Sequence, residues 1–394
     1  MRLLHLTPEL PFAPGGTGGA TRQFELLRGL VRRGHEVAAV APVASGQPAQ
    51  RLRDAGVRLY AYERPPSRVS EALHALSPRL VARALSDPVV AWQVEVFWTS
   101  LRPLAERALA EFSPDRVLVE HDWAAAWHRD LPDLPRALTL QNLSWRYYGA
   151  RARAASGPRA LALGLEACRF ARFDRRHLRA YDVLLAMSEE DRDAAAAFTG
   201  TRVEAVPNGV DTSALGPFAD PDGPPTLLYT GTLDYAPNAE GLRWLLREVW
   251  PRLSERAELL VVGRNPPEDA VRSAGPGVTF TGRVPEIAPY FARAHAVLVP
   301  LRSGAGTKLK VLDGLSSGRP VVSTSVGVEG IAAEDGRHLL VADGGEAFAD
   351  AVVRVLDDAA LRARLGAEGR ALAEQRYDWQ VLSARFEQIL ESLR

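Results

Sequence analysis

The fold of this chain is decided by residues 296–324, which read AVLVPLRSGAGTKLKVLDGLSSGRPVVST. The apolar runs at 296–300 and 320–324 have the composition of buried parallel strands. Between them lie a glycine-containing loop and, at 308–317, an amphipathic helical pattern. A strand, a helix and a second strand in this order predict a parallel sheet with helices packed on its faces.

The loop within this stretch has the features of an anion-binding site. Residues 303–313, SGAGTKLKVLD, contain Lys308 and Lys310, the only lysines among 48 basic residues, so the other 46 are arginines. A lysine carries a compact point charge, whereas arginine presents a planar fork. Small glycines, the Thr307 hydroxyl and a point cation before a helix predict an anion cradle, because a helix start offers N–H groups and the positive end of its dipole. The alternative is a solvated helix start that kept its lysines by chance.

Short apolar runs alternate with amphipathic helical patterns along the whole chain, which predicts two domains. Strand candidates in the first half lie at 2–7, 36–41, 57–62, 116–121, 137–141, 183–186 and 203–206. Those in the second half lie at 226–229, 259–262, 278–281, 296–300, 320–324 and 338–341. Each set predicts a Rossmann-like domain with a doubly wound parallel sheet, and 394 residues suffice for two such cores.

The stretch between the two sets is rich in proline, glycine and aspartate, which is typical of a linker. We assign an N-terminal domain to residues 1–200, a linker to 201–225 and a C-terminal domain to 226–377, followed by a final helix at 378–394. Ligands of doubly wound sheets bind at the carboxyl ends of the strands. Two such domains facing each other would enclose a cleft.

The composition is that of a soluble globular protein, with 46% hydrophobic and 24% charged residues. Cys168 is the single cysteine, which excludes an intrachain disulfide and agrees with a reducing, cytoplasmic compartment. No signal peptide, apolar stretch of transmembrane length or Cys/His metal cluster is expected.

The net charge is zero but unevenly distributed along the chain. Residues 1–180 hold 26 arginines and 17 acidic residues, whereas residues 181–394 hold 22 basic and 31 acidic residues. A basic first half favours an anionic surface or substrate, and mutual attraction of the two halves is the equal alternative.

Two further features have a functional and a structural interpretation. The loop PGGTGG at 14–19 follows the first strand, and its glycines would let the backbone approach a ligand closely, although it lacks the dinucleotide spacing G-x-G-x-x-G and is otherwise a flexible turn. Asp313 lies about one and a half helical turns after Lys308. Its carboxylate could accept hydrogen bonds from sugar or ribose hydroxyls, and the alternative is a helix-surface aspartate.

A set of short motifs spans nearly the whole chain, and their order and spacing are more specific than any one of them. They are PFAPGG at 11–16 with Arg22 and Leu26, GHEV at 34–37, PNGVD at 207–211, YTG at 229–231, PN at 237–238, VGR at 262–264, TGRV at 281–284, GAGTKLKVLD at 304–313, GRPVV at 318–322 and GVEG at 327–330. With these motifs the chain resembles the GT-B glycosyltransferases and is similar to family 4 of the glycosyltransferases.

The resemblance implies two Rossmann-like domains, a C-terminal helix that crosses back to the first domain, and transfer from a nucleotide-diphosphate sugar with retention of anomeric configuration. The donor diphosphate and sugar are then expected at Gly15, Gly16, Arg264, Gly304, Ala305, Gly306, Thr307 and Lys308. The nucleoside is expected at Gly231, Thr232, Arg283, Val284 and Asp313. Catalytic roles fall to Lys308, Gly16 and His121, and the acceptor side to His121, Gln141, Asn142 and Trp145.

The donor side departs from the family pattern in two places. The family often carries Glu-x7-Glu, whereas here Ala305 stands at the first position and Asp313 at the second, which removes an expected contact to the transferred sugar. The family also often places an arginine and a lysine after the first strand of the second domain. Residues 231–238, GTLDYAPN, contain no cation, so Arg264, Lys308 or Lys310 would have to provide the charge.

The acceptor side departs in a third place. A His-Asn pair often ends a first-domain strand in the family, whereas this chain has Gln141 and Asn142 there. His121, in the sequence EHD at 120–122, is the nearest substitute, although a lone histidine at a strand end is often structural.

The mechanism expected of such an enzyme follows from charge. Breaking the sugar–phosphate bond places negative charge on the leaving diphosphate, which preorganised N–H donors and the Lys308 ammonium would stabilise. We therefore expect neither a metal nor a cofactor beyond the nucleotide-sugar co-substrate.

The predicted function is a retaining, metal-independent glycosyltransferase acting on an unidentified glycan, lipid-linked or small-molecule acceptor. A non-catalytic nucleotide-sugar-binding partner subunit, suggested by Ala305, and a GT-B-fold nucleotide-sugar epimerase are the alternatives. The arginine-dense segment 145–179 suggests peripheral contact with an anionic acceptor or with the inner face of a membrane, and no nucleic-acid-binding module is recognised.

Overall fold

The chain divides into two compact units in a computed structural model that describes residues 1–63, 86–304 and 307–393. The first unit is Met1–Pro207 together with Leu382–Arg394, and the second is Asn208–Val381. The sequence assignment placed the domain limits at 200 and 226, with a linker between them. Residues 203–205 of that linker form a strand of the first sheet (β7, below), so the ordered sheet extends into the predicted linker.

The first unit is built on a parallel sheet, to which its described residues contribute seven strands. The strands are β1 Arg2–Leu6, β2 Glu36–Val43, β3 Arg58–Glu63, β4 Arg116–Glu120, β5 Arg136–Leu140, β6 Val183–Ala186 and β7 Val203–Ala205. Their order is β3-β2-β1-β4-β5-β6-β7, and every neighbouring pair is parallel. All seven runs singled out in the sequence form strands. In the central strands β1, β4, β5 and β6 continuous apolar side chains are buried on both faces, whereas β3 at the edge buries only Tyr60.

Helices connect these strands. They are α1 Gly18–Arg32, α2 Ala49–Asp54, α3 Val89–Phe112, α4 Ser144–Ala154, α5 Gly157–His177 and α6 Glu189–Thr199, with 3₁₀ turns at Asp122–Asp130 and Leu178–Ala180. Helix α1 starts at Gly18, because the Thr17 hydroxyl accepts a hydrogen bond from the Ala20 amide and caps the helix. Gly18 and Gly19 are therefore helical, and the open part of the glycine loop is shorter than PGGTGG.

The second unit repeats the arrangement, with six parallel strands among its described residues. They are β8 Thr226–Thr230, β9 Glu258–Val262, β10 Val278–Gly282, β11 Ala296–Val299, β12 Val321–Ser323 and β13 Leu340–Val341, in the order β10-β9-β8-β11-β12-β13. Every one of these strands was singled out in the sequence, with bounds that differ by one or two residues.

The helices of this half are α7 Ala236–Trp244, α8 Glu268–Ser273, α9 Ala288–Arg293, α10 Leu309–Ser316, α11 Ser325–Val328, α12 Gly345–Asp357, α13 Ala359–Leu372 and α14 Trp379–Glu391. The π turns Leu245–Val249 and Ala373–Tyr377 continue α7 and α13. Helix α10 begins after Lys308, which occupies the N-cap position.

The C-terminal helix α14 returns to the first unit, as the sequence predicted. The Arg116 side chain donates to the carbonyl of Leu390 at 2.7 Å. A Cβ atom at Gly29 of α1 would lie 2.0 Å from the Ser383 hydroxyl, so the glycine permits close helix packing. Glu387 contacts both Arg33 and His35. The predicted architecture of two Rossmann-like parallel-sheet domains with a returning C-terminal helix is confirmed.

Candidate functional site

Each sheet has one point where the strand order reverses, and the predicted glycine-containing loops, Lys308 and His121 follow the strands at these two points. In the first unit the reversal falls between β1 and β4, and in the second between β8 and β11. Open parallel sheets bind ligands outside the carboxyl ends of the strands at such a switch point. The two switch points are described separately.

Lys308 lies at the carboxyl-end side of the second sheet, between β11 and α10. Its side chain is 8% exposed. The Nζ atom donates to the Gly304 carbonyl at 3.2 Å and lies 3.8 Å from the Glu329 carboxylate. Burial lowers the pKa of this ammonium, and Glu329 opposes the shift. Gly304 itself has φ +119°, a conformation that favours glycine. The loop therefore holds a largely desolvated cation at a helix start.

Lys310, the second residue of α10, is held in a second polar cluster. Its Nζ donates to the Asn238 side-chain oxygen at 2.7 Å and lies 4.8 Å from the centre of the Tyr229 ring. Burial lowers the pKa of Lys310 to about 7 and raises that of Asp313 to about 7, while each charge opposes the shift of the other. An anion bound here would restore the charge on Lys310, since a nearby opposite charge favours the ionised form.

Gly231 and Gly263 allow the backbone to fold tightly around these groups. A Cβ atom on Gly231 would lie 2.9 Å from Asn238 Nδ2 and 3.1 Å from Lys310 Nζ. One on Gly263 would lie 1.8 Å from the Gly231 carbonyl oxygen. Of the predicted nucleoside residues, Gly231 and Asp313 are thus close to Lys310.

The other predicted donor residues lie around the ends of β8, β9 and β10. Thr232, Arg264 and Arg283 are exposed, and Val284 packs on the apolar cluster beneath them. Thr307 is 9% exposed. Ala305 and Gly306 lie outside the described residues.

Two residues of this cluster were not assigned to the site from the sequence. Asn238 accepts from Lys310 and donates to the Thr232 carbonyl at 2.8 Å. Tyr229 lies under Lys310 and donates to the Asn238 carbonyl at 2.8 Å. The PN and YTG motifs contained both residues, but only the fold shows which polar group they contact.

The switch point of the first unit carries the open part of the glycine loop. Gly15 has φ +91°, and a Cβ atom on Gly16 would lie 2.4 Å from the Phe12 carbonyl oxygen. Arg51 donates to the Pro14 carbonyl at 2.8 Å. The loop conformation therefore requires glycine at both predicted positions, which supports a specific shape and not merely a flexible turn.

His121 follows β4 at the same switch point. Its backbone has φ +74°, which is costly for a residue with a side chain. The imidazole, 12% exposed, lies 4.1 Å from the Trp123 ring, and Nε2 lies 3.4 Å from a Glu9 carboxylate oxygen. Strained backbone of this kind is concentrated at functional sites.

The remaining predicted acceptor residues have contacts of their own. The Gln141 amide donates to the Glu120 carboxylate at 2.5 Å, and Asn142 is exposed. Trp145 stacks on Phe198 with ring centres 4.7 Å apart, a contact that accounts for this tryptophan as a packing residue. Sequence reasoning did not find Glu9 or Glu120, because a single carboxylate after a strand carries no signal of its own.

Metal-ligating groups come together elsewhere in the first unit. Among the described residues, the one cluster of three potential ligands is His35, Glu387 and Glu391, whose ligand atoms lie within 4.8 Å of one another. Glu387 already contacts Arg33 and His35.

In the described parts of the chain no helix combines the length and apolar character needed to span a bilayer.

Comparison with known proteins agrees with this fold. A family model described as "Glycosyl transferase 4-like domain" matches residues 17–209, and one described as "Glycosyl transferases group 1" matches 224–358. The chain therefore carries the two domains of a GT-B glycosyltransferase. Within that class it resembles family 4.

Curated relatives match about half of the chain. A phosphatidyl-myo-inositol mannosyltransferase of Mycobacterium leprae is 29% identical over 209 residues, which cover 49% of this chain and 54% of the relative. A GDP-mannose-dependent monoacylated alpha-(1-6)-phosphatidylinositol monomannoside mannosyltransferase of Corynebacterium glutamicum is 27% identical over 216 residues, covering 48% and 56%. The chain spans about half the length of the curated relatives it matches.

Solved structures share the fold over the full chain. Sucrose-phosphate synthase from Thermosynechococcus elongatus has a TM-score of 0.74 at 17% identity and covers 99% of this chain and 98% of its own. Anabaena HepE, solved in complex with UDP-glucose, has a TM-score of 0.66 at 15% identity and covers 100% of both chains. At these identities the likeness concerns the fold alone.

Proposed function

We propose that this chain is a glycosyltransferase that transfers a sugar from a nucleotide-diphosphate sugar to an acceptor hydroxyl, with retention of anomeric configuration and without a metal. The observation that carries the proposal is the pair of desolvated lysines at the switch point of the second sheet. Burial of an ammonium carries a desolvation cost, and an anion that binds beside it favours the charged form. The family resemblance and the UDP-glucose bound to a structural neighbour support a nucleotide sugar as that anion.

The proposed chemistry uses the protein's own donors. The α10 helix start and the Lys308 ammonium face the diphosphate, and they lower the barrier by stabilising the charge that develops as the sugar–phosphate bond breaks. Asp313 accepts hydrogen bonds from the ribose. In the first unit, the short glycine loop lets the backbone come close to a bound sugar. His121 accepts a hydrogen bond from a sugar or acceptor hydroxyl.

The experiment follows release of nucleotide diphosphate from UDP-glucose and GDP-mannose, with and without a crude lipid or glycan acceptor. A glycosyltransferase releases nucleotide diphosphate from its true donor slowly by hydrolysis when no acceptor is present, and faster by transfer when the acceptor is added. A nucleotide-sugar-binding subunit would release none above background, and an epimerase would change the sugar without releasing nucleotide. Either outcome would contradict the proposal.

The acceptor we propose is lipid-linked, with the protein at an anionic membrane surface. The outer face of α5 carries Leu161, Leu165, Cys168, Arg172 and Arg176, all exposed and three or four residues apart. Leu161 is 77% exposed and Leu165 53%, which is unusual for leucine. Apolar side chains followed by arginines on one helix face fit an interface where acyl chains meet phosphates. The phosphatidylinositol-directed relatives support the same acceptor class.

Vesicle sedimentation tests this surface. Vesicles with phosphatidylglycerol should bind the protein, and neutral vesicles or high salt should weaken binding. L161S/L165S and R172E/R176E should each lower the partition at least about tenfold, since burying leucine and placing arginine near anionic lipid are each worth about 1 kcal/mol or more.

Control pairs come from the second unit. V271S/V381S and R293E/R354E change exposed valines and arginines that do not belong to α5. Equal loss in test and control pairs, or no binding to anionic vesicles at all, would contradict the membrane proposal.

A further inference from the structure

Glu9, which follows β1, is the point where three polar side chains of the first unit meet. Its Oε1 accepts from the Gln23 amide at 2.9 Å and lies 3.4 Å from His121 Nε2. Its Oε2 accepts from the Thr17 hydroxyl at 3.2 Å. A carboxylate can only accept hydrogen bonds, so the nitrogen of His121 that faces it must carry the proton.

A chain of hydrogen bonds leads from His5 and Thr7 through the Gln23 amide to Glu9. Burial lowers the pKa of His5 to about 4, so its imidazole is neutral at neutral pH. His5 Nε2 lies 3.0 Å from the Gln23 oxygen and donates to it, and the Thr7 hydroxyl lies 2.8 Å from the same oxygen. With its oxygen engaged, the Gln23 amide presents its NH₂ group to Glu9. The carboxylate of Glu9 and the orientation of the Gln23 amide are therefore matched.

The His121 side chain is held by an unusual backbone conformation and by contacts to its ring. Its backbone lies in the positive-φ region, and its ring contacts the Trp123 ring at 4.1 Å. The buried Glu120 before it has a raised pKa caused by burial, and accepts from Gln141. A strained backbone persists only where its surroundings hold it, and Glu9 and Trp123 hold both the position and the plane of this ring.

Glu9 also contacts the glycine loop. Thr17, one of its three donors, caps α1 immediately after the loop. A Cβ atom on Gly19 would lie 2.8 Å from Glu9 Oε1, so only glycine leaves room for the carboxylate at this point of the helix. The loop end and the His121 ring are thus tied to the same side chain.

We infer that Glu9 is a positioning residue that holds His121 in the Nε2–H tautomer and joins it to the end of the glycine loop. The Nδ1 lone pair is then the nitrogen available to a substrate hydroxyl. The inference rests on the proposed role of His121 in the transfer reaction, and it adds the group that determines which nitrogen performs that role.

The first experiment reads the tautomer directly. Histidine-¹⁵N-labelled protein gives two-bond ¹H–¹⁵N spectra that distinguish Nε2–H from Nδ1–H, and His121 is assigned by loss of its signals in H121N. At a pH about two units above the ordinary histidine value of ~6.5, the unaltered protein should show at least about a tenfold preference for Nε2–H. E9A and E9Q should lose that preference. E36Q neutralises an exposed carboxylate of the same unit and should leave it unchanged.

The second experiment measures hydrolysis of UDP-glucose and GDP-mannose by the same variants. E9Q should lower kcat about 10–100-fold with little change in KM, because it alters the tautomer of His121, which acts in the proposed reaction, and removes no proposed contact to the donor. An unchanged His121 tautomer in both E9A and E9Q overturns the inference. A lost tautomer preference with normal kcat confirms the Glu9–His121 coupling and removes His121 from the proposed reaction.

Discussion

Separate replacement of Lys308 and Lys310 should have different effects: loss of Lys308 should mainly lower the rate of transfer, and loss of Lys310 should strongly lower the free energy of unfolding. Lys308 donates to the Gly304 carbonyl and faces a glutamate whose side chain is 56% exposed. Loss of these two contacts should lower the free energy of unfolding by about 1–2 kcal/mol, since a neutral acceptor and an exposed ion pair each contribute little. Loss of its charge from the departing diphosphate should lower transfer about 10²–10⁴-fold, the scale of a lost oxyanion donor with an added charge effect.

Lys310 should behave in the opposite way with respect to stability. Lys310→Ala leaves the Asn238 oxygen without its donor and Asp313 without its cation. Removal of one partner of a buried charge pair costs about 3–5 kcal/mol, so K310A should unfold at much lower urea concentration than K308A. Lys308→Arg should also reduce transfer, because the guanidinium fork cannot occupy the position of the ammonium.

The assays are urea unfolding and release of nucleotide diphosphate from UDP-glucose or GDP-mannose under single-turnover conditions. Transfer by K308A within about threefold of the unaltered protein would refute its assignment to the diphosphate. A K308A protein that unfolds as readily as K310A would refute the stability reasoning.

Three further predictions follow from the same structure. The pKa of Lys310 is about 7, and at a pH about one unit higher the binding of UDP or GDP should take up a proton, because the bound anion raises the pKa of that ammonium. Calorimetry in buffers of different ionisation heat measures the proton uptake, and its absence would contradict a contact between the anion and Lys310. Between pH 6.5 and 4 the unfolded chain binds a proton at His5 that the folded chain excludes, so the free energy of unfolding should fall by up to about 3 kcal/mol as the pH is lowered. H5Q should flatten the pH dependence of the free energy of unfolding, measured with urea, in this range, and an unchanged dependence would show that His5 is not its cause. G263A should lower the free energy of unfolding, measured with urea, by about 3 kcal/mol or more, because its Cβ would overlap the Gly231 carbonyl. G275A, with nothing within 4 Å of its Cβ, should change that free energy by no more than about 0.5 kcal/mol, and equal effects of the two substitutions would refute the packing argument.

The strands could be predicted from the sequence because parallel strands buried on both faces leave continuous apolar runs. β8 to β13 illustrate this, with bounds within one or two residues of the sequence assignment. Helix starts were less predictable: α1 begins at Gly18 because of the Thr17 cap, which the apolar pattern does not contain. Residues 122–130 form 3₁₀ turns, and their alanine-rich composition does not distinguish these from an α-helix.

The candidate site was predictable where residue type alone carries information. Lys308 was found because lysine is so rare in this chain, and the glycine pairs because they interrupt strand–helix patterns. Asn238, Tyr229 and Glu9 were not found, since their significance lies in contacts across more than ten residues of chain: Asn238 with Lys310, and Glu9 with His121. A common polar residue becomes recognisable as part of a site only when the fold brings a partner to it.

A crystal structure with UDP or GDP bound tests the central claim most directly. The diphosphate should lie at the start of α10, with the Lys308 ammonium within hydrogen-bonding distance of a phosphate oxygen and the ribose next to Asp313. A diphosphate bound elsewhere, with neither the Lys308 nor the Lys310 ammonium group in contact with a phosphate oxygen, would contradict the account.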